Sequence, residues 1–243
     1  MPAIQVKDLV KKYKETVALK GISFDVNEGE IFGLIGPNGA GKTTTLRIIA
    51  TLIKPTSGTV SVFGRDVVKD AEEIRKFISY LPEEAGAYLQ LTGREYLEFM
   101  AKFVVKDEEK LRETIRLGIE IAGLGERIDD KIKTYSKGMK RRLLIARALM
   151  VKPRLAILDE PTSGLDVIHA YHVRSILREF AEREKVTMIV SSHNMLEIEH
   201  ICDRVALIHR GKLLAIGTPK ELKEKYNAAN LEEVFVKEVG KVE

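Results

Sequence analysis

The amino-acid sequence predicts an α/β fold, in which a buried parallel sheet is joined to an antiparallel layer and interrupted by a helical lobe. Two runs, Ile31–Ile35 and Leu155–Leu158, are continuously apolar, as expected for central strands covered on both faces. Earlier runs at Ala3–Val6 and Ile22–Val26 alternate in polarity, which is typical of half-exposed antiparallel strands. From about Leu91 to Leu149 apolar residues recur at helical spacing, which predicts the helical lobe.

Further β-rich runs extend the predicted sheets. They are Thr59–Phe63, Thr187–Ser191, Arg204–Ile208 and Leu213–Ile216. No repeat, low-complexity tract or linker divides the sequence, so we expect residues 1–243 to form one domain. Its sheet-based core is expected at about 1–90 and 150–220, the helical lobe at about 91–149, and a C-terminal extension at about 221–243.

The composition is that of an ordinary globular protein. Hydrophobic residues make up 44% and charged residues 31%, which excludes a disordered chain. The formal charge is only +4, which is weak support for nucleic-acid binding. Cys202 is the only cysteine, so no disulfide can form within the chain, which suits a reducing cytoplasm. We expect no secretory signal and no membrane span, so any membrane role requires a partner.

A strand, a glycine-rich loop and a helix follow one another in an arrangement that binds phosphate groups. Strand Ile31–Ile35 leads into the loop, and residues 44–52 after it have helical character. The loop fits the pattern G-x-x-x-x-G-K-[ST]. Its residues are Gly36, Pro37, Asn38, Gly39, Ala40, Gly41, Lys42 and Thr43, and Thr44 continues into the helix.

The predicted chemistry of this loop follows from its backbone. Inward-pointing N–H groups and the positive end of the following helix form a cradle for a triphosphate. Lys42 is predicted to contact the β- and γ-phosphates, and the hydroxyl of Thr43 to contact Mg²⁺. A glycine turn that only joins a strand to a helix is the structural alternative.

A pair of carboxylates follows the buried strand Leu155–Leu158. An acid at the end of such a strand, beside a phosphate loop, is placed to hold Mg²⁺ through the ligands that surround the ion, and we assign this role to Asp159. The adjacent Glu160 is predicted to orient or deprotonate the attacking water. The two acids could instead begin a turn before Pro161.

Residues from about 3 to 220 carry further motifs in a fixed order. They include Tyr135–Met139, followed by the basic residues 140–142, then Ser163–Asp166, and His193 after a strand. Their order and spacing resemble the ATP-binding cassette (ABC) family, which has its signature loop, subunit-communication loop and switch histidine at these places. The resemblance implies a P-loop NTPase core with an antiparallel β subdomain and an inserted helical signature lobe.

The resemblance also implies roles for single residues. Tyr13 is similar to the aromatic residue that stacks on adenine, although an ordinary strand-edge tyrosine is the alternative. Two cassettes of the family pack head to tail, so Ser136 and Gly138 of one chain would face the γ-phosphate held by the other. Asp166 would communicate between subunits, and His193 would contact the γ-phosphate. Without the family, a lone histidine at a strand end is more often structural.

Two departures from the family pattern are informative. The signature loop reads Y-S-K-G-M instead of the common L-S-G-G-Q, so Lys137 and Met139 are not expected to be the main contacts. Glu83 stands where the family usually has a glutamine; its carboxylate can approach Mg²⁺, but it brings negative charge beside phosphates. Both departures resemble the branch that partners export-type permeases (ABC-2, multidrug or natural-product).

These observations predict an ATPase that binds ATP and Mg²⁺, dimerises with itself or a related cassette, and drives transport through separate membrane permease subunits. Export is the expected direction, and the expected location is the cytoplasmic face of the cell membrane. No nucleic-acid partner is expected, because 94 positions separate Lys42 from Ser136 without the sustained heptads of a DNA-repair type. A soluble cassette ATPase in cofactor assembly, or in nucleic-acid or ribosome-linked work, is the alternative.

The segment Glu83–Leu91 is predicted to dock a short cytoplasmic helix of the permease, because the family has its coupling groove there. Residues 85–89 are small or apolar, which is unusual for a solvent loop. Packing beneath the helical lobe is the alternative.

Overall fold

The computed structural model describes residues 2–242 of the chain. Its strands form two sheets. The strands in this part of the chain are β1 (Ile4–Tyr13), β2 (Thr16–Val26), β3 (Ile31–Ile35), β4 (Ser57–Val62), β5 (Arg65–Asp66), β6 (Ile78–Leu81), β7 (Leu155–Leu158), β8 (Thr187–Ser192), β9 (Arg204–His209) and β10 (Lys212–Gly217). The α-helices are α1 (Lys42–Ile49), α2 (Ala71–Arg75), α3 (Gly93–Lys102), α4 (Glu108–Ala122), α5 (Lys137–Leu149), α6 (Val167–Glu184), α7 (Met195–Ile198), α8 (Pro219–Tyr226) and α9 (Leu231–Val242).

The larger sheet has six strands in the order β10-β9-β3-β8-β7-β6. From β9 to β6 all neighbours are parallel, while β10 runs antiparallel to β9 at the edge. The smaller sheet is antiparallel, in the order β2-β1-β4-β5. The two sheets therefore correspond to the parallel and antiparallel layers that the sequence predicts.

Strand β3 lies between two hydrophobic cores. Phe32 and Leu34 belong to the core that contains α1 and the small sheet. Ile31 and Ile35 belong to the second core, which contains α3 to α6. Successive side chains of a strand point to opposite faces, so a strand buried on both sides needs an uninterrupted apolar run.

Residues that follow β3, β7 and β8 meet at one edge of the large sheet. Parallel register sets Ile35 opposite Ser192, and Leu158 opposite Val190. The phosphate loop, the acid pair and His193 therefore emerge side by side, although they are far apart in the sequence.

Helices α3, α4 and α5 form a helical segment between β6 and β7. Each begins at a side chain that accepts a hydrogen bond from the first turn: Thr92 for α3, Asp107 for α4 and Ser136 for α5. Such caps satisfy backbone N–H groups that lack a partner within the helix. Two short 3-10 helices, Gly125–Asp129 and Ile132–Thr134, precede α5.

The structure contains elements that the apolar runs did not indicate. Strand β6 pairs parallel with β7 at the sheet edge, yet only Leu81 in it is fully buried, so its pattern is weak. Helices α8 and α9 follow β10, and α9 packs Leu231 and Val234 into the second core. None of the helices within residues 2–242 is long and apolar enough to cross a membrane.

Candidate functional site: a nucleotide pocket at the sheet edge

The phosphate loop joins β3 to α1 and lines an open pocket of about 420 Å³. Gly36 begins the loop so close to β9 that an added Cβ atom would lie 2.0 Å from the backbone oxygen of Ile208. Helix α1 has no side-chain cap at Gly41 and no acidic residue in its first turn. Its N–H groups and positive dipole end are therefore left for an anion, which supports the predicted phosphate cradle.

Lys42, the first residue of α1, is buried with 5% of its surface exposed. Its ammonium donates to the carbonyl oxygens of Gly36 at 2.7 Å and Pro37 at 3.2 Å. It also lies 3.1 Å from Oε1 of Glu160. The ammonium is thus held at the mouth of the loop, where a bound phosphate would exchange for these acceptors.

Asp159 is the meeting point of three hydroxyl groups and is 1% exposed. Its Oδ1 accepts from Thr43 at 3.2 Å and from Ser191 at 2.6 Å. Its Oδ2 accepts from the Tyr80 hydroxyl at 3.4 Å. Burial raises the pKa of Tyr80, so this phenol remains a donor at neutral pH. The carboxylate and the Thr43 hydroxyl lie 3.2 Å apart, close enough for both oxygens to serve one cation.

Glu160 lies between the phosphate loop and the predicted switch histidine. Its Oε2 is 2.8 Å from Nδ1 of His193, which is within hydrogen-bond distance. Its Oε1 has the ion pair with Lys42 but accepts no hydrogen bond within the described residues. The backbone of Glu160 has a φ of 49°, in the left-handed region that non-glycine residues rarely adopt.

Tyr13 and Glu83 also line the pocket. The Tyr13 ring is 44% exposed at the end of β1, and the ammonium of Lys11 lies 4.9 Å from its centroid. Glu83 is exposed after β6, and its Oε1 accepts from the Ser163 hydroxyl at 3.4 Å. Both predicted positions are therefore at the pocket, while their roles stay predictions.

The signature-loop and communication-loop residues lie elsewhere, because Ser136, Gly138 and Asp166 are not among the lining residues of this pocket. They form a second cluster, in which a Cβ atom added to Gly138 would lie 1.8 Å from the ring of His169. Asp166 caps α6 by accepting from the backbone N–H of His169 at 2.9 Å. One chain therefore does not bring the two sets of predicted phosphate contacts together.

Two residues of the site were missed by the sequence interpretation. Ser191 donates to Asp159 and accepts from the backbone N–H of Glu160 at 2.9 Å. Arg141 of α5 is 7% exposed and reaches the same loop. A signal for Ser191 was its place at a strand end beside Asp159, and a signal for Arg141 was a charged residue on the buried face of a helix.

The fold and the site define a nucleotide-binding P-loop cassette. A family model described as "ABC transporter" matches residues 19–163. The chain belongs to the ABC transporter family, and the family predicted from the motifs is confirmed.

Curated relatives agree with this assignment. The linearmycin resistance ATP-binding protein of Bacillus subtilis is 40% identical over 219 residues, which cover 90% of this chain and 70% of the relative. The Nod factor export ATP-binding protein I of Burkholderia orbicola is 35% identical over 232 residues, covering 96% of this chain and 76% of the relative. Both relatives are named as ATP-binding proteins, and the name of the second includes export.

Solved structures show the same fold. An ATP-binding subunit of an ABC transporter matches with a TM-score of 0.84 and 30% identity, covering 98% of this chain and 99% of that chain. The dimeric structure of a bacterial ABC transporter cassette matches with a TM-score of 0.79 and 28% identity, covering 88% and 98% of the two chains. The predicted fold, a P-loop NTPase core with an antiparallel layer and a helical insertion, is confirmed.

Proposed function

We propose that this chain is an ATPase subunit that binds Mg²⁺-ATP, pairs with a second cassette and drives export through separate membrane permease subunits, as one domain over residues 1–243. The observation that carries the proposal is the convergence of Lys42, Thr43, Asp159, Glu160 and His193 at the open phosphate loop. These groups can bind phosphate, hold a cation and orient a water molecule, which are the parts that phosphoryl transfer to water needs.

The residues at this site fit Mg²⁺. Thr43 and Asp159 offer oxygen ligands, and Glu83 offers another at the rim. No cluster of three or more His, Cys, Asp or Glu side chains suited to a metal occurs within residues 2–242, so nucleotide phosphates and water would complete the shell. When bound, Mg²⁺ would neutralise charge on the transferred phosphate.

Glu160 is the proposed general base, and His193 the proposed contact to the γ-phosphate. The ion pair with Lys42 and the bond to His193 hold the carboxylate at the loop mouth. A water molecule bound there would be positioned and deprotonated by Glu160. Tyr13 would stack on the adenine from the rim of the same pocket.

Turnover by the purified chain tests this assignment. We expect Mg²⁺-dependent phosphate release from ATP, and loss of at least about 100-fold in Lys42→Ala, because the β- and γ-phosphate charge loses its cation. Lys54→Ala, which removes an exposed lysine, is the matched control. Near-normal turnover in Lys42→Ala would refute the phosphate-loop assignment.

Pairing with a second cassette follows from the separation of the two residue clusters. Ser136, Gly138 and Asp166 lie outside the nucleotide pocket of their own chain, and the dimeric cassette structure has the same fold. Each nucleotide would then contact the phosphate loop of one chain and Ser136 and Gly138 of the other, in a two-fold arrangement. We expect specific ATPase activity to rise with protein concentration; a constant value over a 100-fold range would contradict the pairing.

An aromatic surface supports the predicted permease contact and the membrane-peripheral location. Tyr88 is 57% exposed and packs edge-on against Phe99, which packs in turn against Phe103, 65% exposed. Ala85 and Ala87 of the predicted segment are half-buried against the core. The proposed docking surface is therefore the aromatic ladder formed by Tyr88, Phe99 and Phe103 rather than these alanines. Adjacent exposed aromatic rings are typical anchors of a protein interface.

Charged substitutions on this ladder test the docking proposal. Tyr88→Asp or Phe103→Asp should abolish co-purification with a membrane permease from a mild-detergent extract, while the basal ATPase of the isolated chain stays within about twofold. Val236→Asp, at a residue of α9 that is 68% exposed, is the matched control. Undiminished co-purification of both ladder variants would refute the docking site.

A further inference from the structure

Arg141 is a buried cation that the site chemistry described above does not use. It lies on α5, five residues after Ser136, on the helix face that also buries Gly138 and Ile145. Its exposed fraction is 7%, and its side chain donates hydrogen bonds to main-chain oxygens rather than to carboxylates. A buried guanidinium is costly unless its donors are satisfied, so this arrangement needs a physical explanation.

The guanidinium donates to five carbonyl groups in two different loops. Nη2 donates to the oxygens of Asp159 at 2.9 Å and Glu160 at 2.7 Å, and Nε donates to that of Pro161 at 2.8 Å. Nη1 is shared between the oxygens of Pro82 at 3.3 Å and Glu83 at 3.1 Å. All three nitrogens of the planar fork are therefore engaged.

Three of these carbonyls belong to consecutive residues around the proposed base. Glu160 has a left-handed backbone, and such a conformation persists only where its surroundings hold it. Arg141 donates to the three carbonyl oxygens. The hydroxyl of Ser191 accepts a hydrogen bond from the backbone N–H of Glu160 at 2.9 Å. A residue of the helical segment therefore restrains the backbone of Glu160, and with it the direction of the carboxylate toward the phosphate loop. We call these hydrogen bonds of Arg141 the clamp.

We propose that Arg141 is a positioning residue for ATP hydrolysis: its guanidinium fixes the backbone of Glu160, and ties that loop and the Glu83 loop to helix α5. The inference rests on the proposed role of Glu160 as the base. Arg141 acts through Glu160 and does not touch nucleotide. Burial lowers the pKa of Arg141 to about 10, so the side chain remains a cation at neutral pH.

The clamp predicts a split between nucleotide binding and turnover. Arg141→Met keeps the apolar stem but removes every donor, so the Glu160 backbone loses its restraint while the phosphate loop keeps its contacts. We expect kcat to fall at least about 30-fold, and the Kd for a fluorescent ATP analogue to stay within about threefold. Arg141→Lys keeps the charge but cannot span both loops, so we expect a kcat loss of about tenfold.

Arg142→Met is the matched control on the same helix. Arg142 is partly buried, and its Nη1 donates to the carbonyl of Gly123 at 3.1 Å, away from the catalytic loops. Its loss should lower the melting temperature as Arg141→Met does, yet leave kcat within about twofold. A role of Arg141 in helix packing alone would give the two variants the same profile.

A double-mutant cycle with Glu160→Gln decides whether Arg141 acts through Glu160. Single-turnover hydrolysis of radiolabelled ATP is measured for wild type, both single variants and the double variant. If Arg141 only positions Glu160, the double variant hydrolyses within about threefold of Glu160→Gln alone. If Arg141→Met slows hydrolysis in the Glu160→Gln background by the same factor as it does in the wild type, the proposal is overturned.

The remaining outcomes separate this inference from the proposed function. If Glu160→Gln itself keeps wild-type turnover, the base assignment fails. If Glu160→Gln is slow but Arg141→Met turns over normally, only the positioning role fails. If Arg141→Met does not fold, Arg141→Lys carries the test, and wild-type kcat in that variant would overturn the positioning role.

Discussion

Glu160→Gln changes one charge in the centre of the nucleotide site while keeping the shape of the side chain. The structure places Oε1 of Glu160 3.1 Å from the ammonium of Lys42, with both side chains about 5% exposed or less. At an effective dielectric constant of ~20, two unit charges at this separation attract by about 5 kcal/mol. The desolvation of both ions offsets most of that energy.

Phosphate groups and this carboxylate compete for the same ammonium. If the net worth of the ion pair is about 1 kcal/mol, its removal should tighten ATP binding by about fivefold. Turnover should fall by about 10²- to 10⁴-fold, because a glutamine amide cannot accept the proton of the attacking water. With ATP and Mg²⁺ present, the variant should accumulate as a dimer that cannot be released by hydrolysis.

The two effects are measured separately. Equilibrium titration with a fluorescent ATP analogue gives the Kd, phosphate release gives kcat, and size-exclusion chromatography with Mg²⁺-ATP gives the dimer. Glu84→Gln, at an exposed neighbour of Glu83, is the control for loss of one negative charge. A Glu160→Gln variant with kcat within threefold of wild type, or with weakened ATP binding, would refute the reasoning.

Three further predictions concern the close contact at Gly36, the burial of Cys202 and the proposed stacking of Tyr13. Gly36→Ala should lose ATP binding at least about 100-fold, since its Cβ would lie 2.0 Å from the oxygen of Ile208, whereas Gly86→Ala, with nothing within 4 Å, should bind normally in the same titration. The buried Cys202, whose thiol pKa is raised by desolvation, should not react with Ellman's reagent at pH 8 until the chain unfolds; fast labelling of native protein would contradict this. Tyr13→Ala should weaken ATP binding about tenfold and Tyr13→Phe should not, because the loss of one stacked base costs roughly 1–3 kcal/mol.

The contiguous parts of the site could be predicted from the sequence, because local order encodes them. The phosphate loop is read directly from residues 36–43, and Asp159 and Glu160 follow a strand whose apolar run marks it as central. Their proximity follows from parallel pairing, since residues after neighbouring strands meet at the same edge. The strand bounds at β3 and β7 agree with the predicted runs because no polar position interrupts them.

The clamp around Glu160 could not be predicted in this way. Arg141 donates to main-chain carbonyl oxygens. Every residue has such an oxygen, so the sequence does not show which carbonyl is the acceptor. The contact of Ser191 with Asp159 depends on the register of β7 against β8. A slip of one residue would turn the Ser191 side chain to the other face of the sheet. The half-burial of Ala87 depends on how the segment after β6 lies on the second core. These contacts are set by tertiary packing, and their residue types alone are ambiguous.

The proposed role of Arg141 would connect the helical segment directly to catalysis. Ser136 caps the same helix that carries Arg141, so both side chains belong to one rigid element about one and a half turns apart. If Ser136 contacts the nucleotide of a second cassette, a shift of α5 moves the clamp together with the contact. The Glu160 loop then has the geometry proposed for hydrolysis only while α5 lies where Arg141 can reach the carbonyls of that loop. Hydrolysis in one pocket would in this way depend on the engagement of the opposite pocket, with no separate signalling element between them.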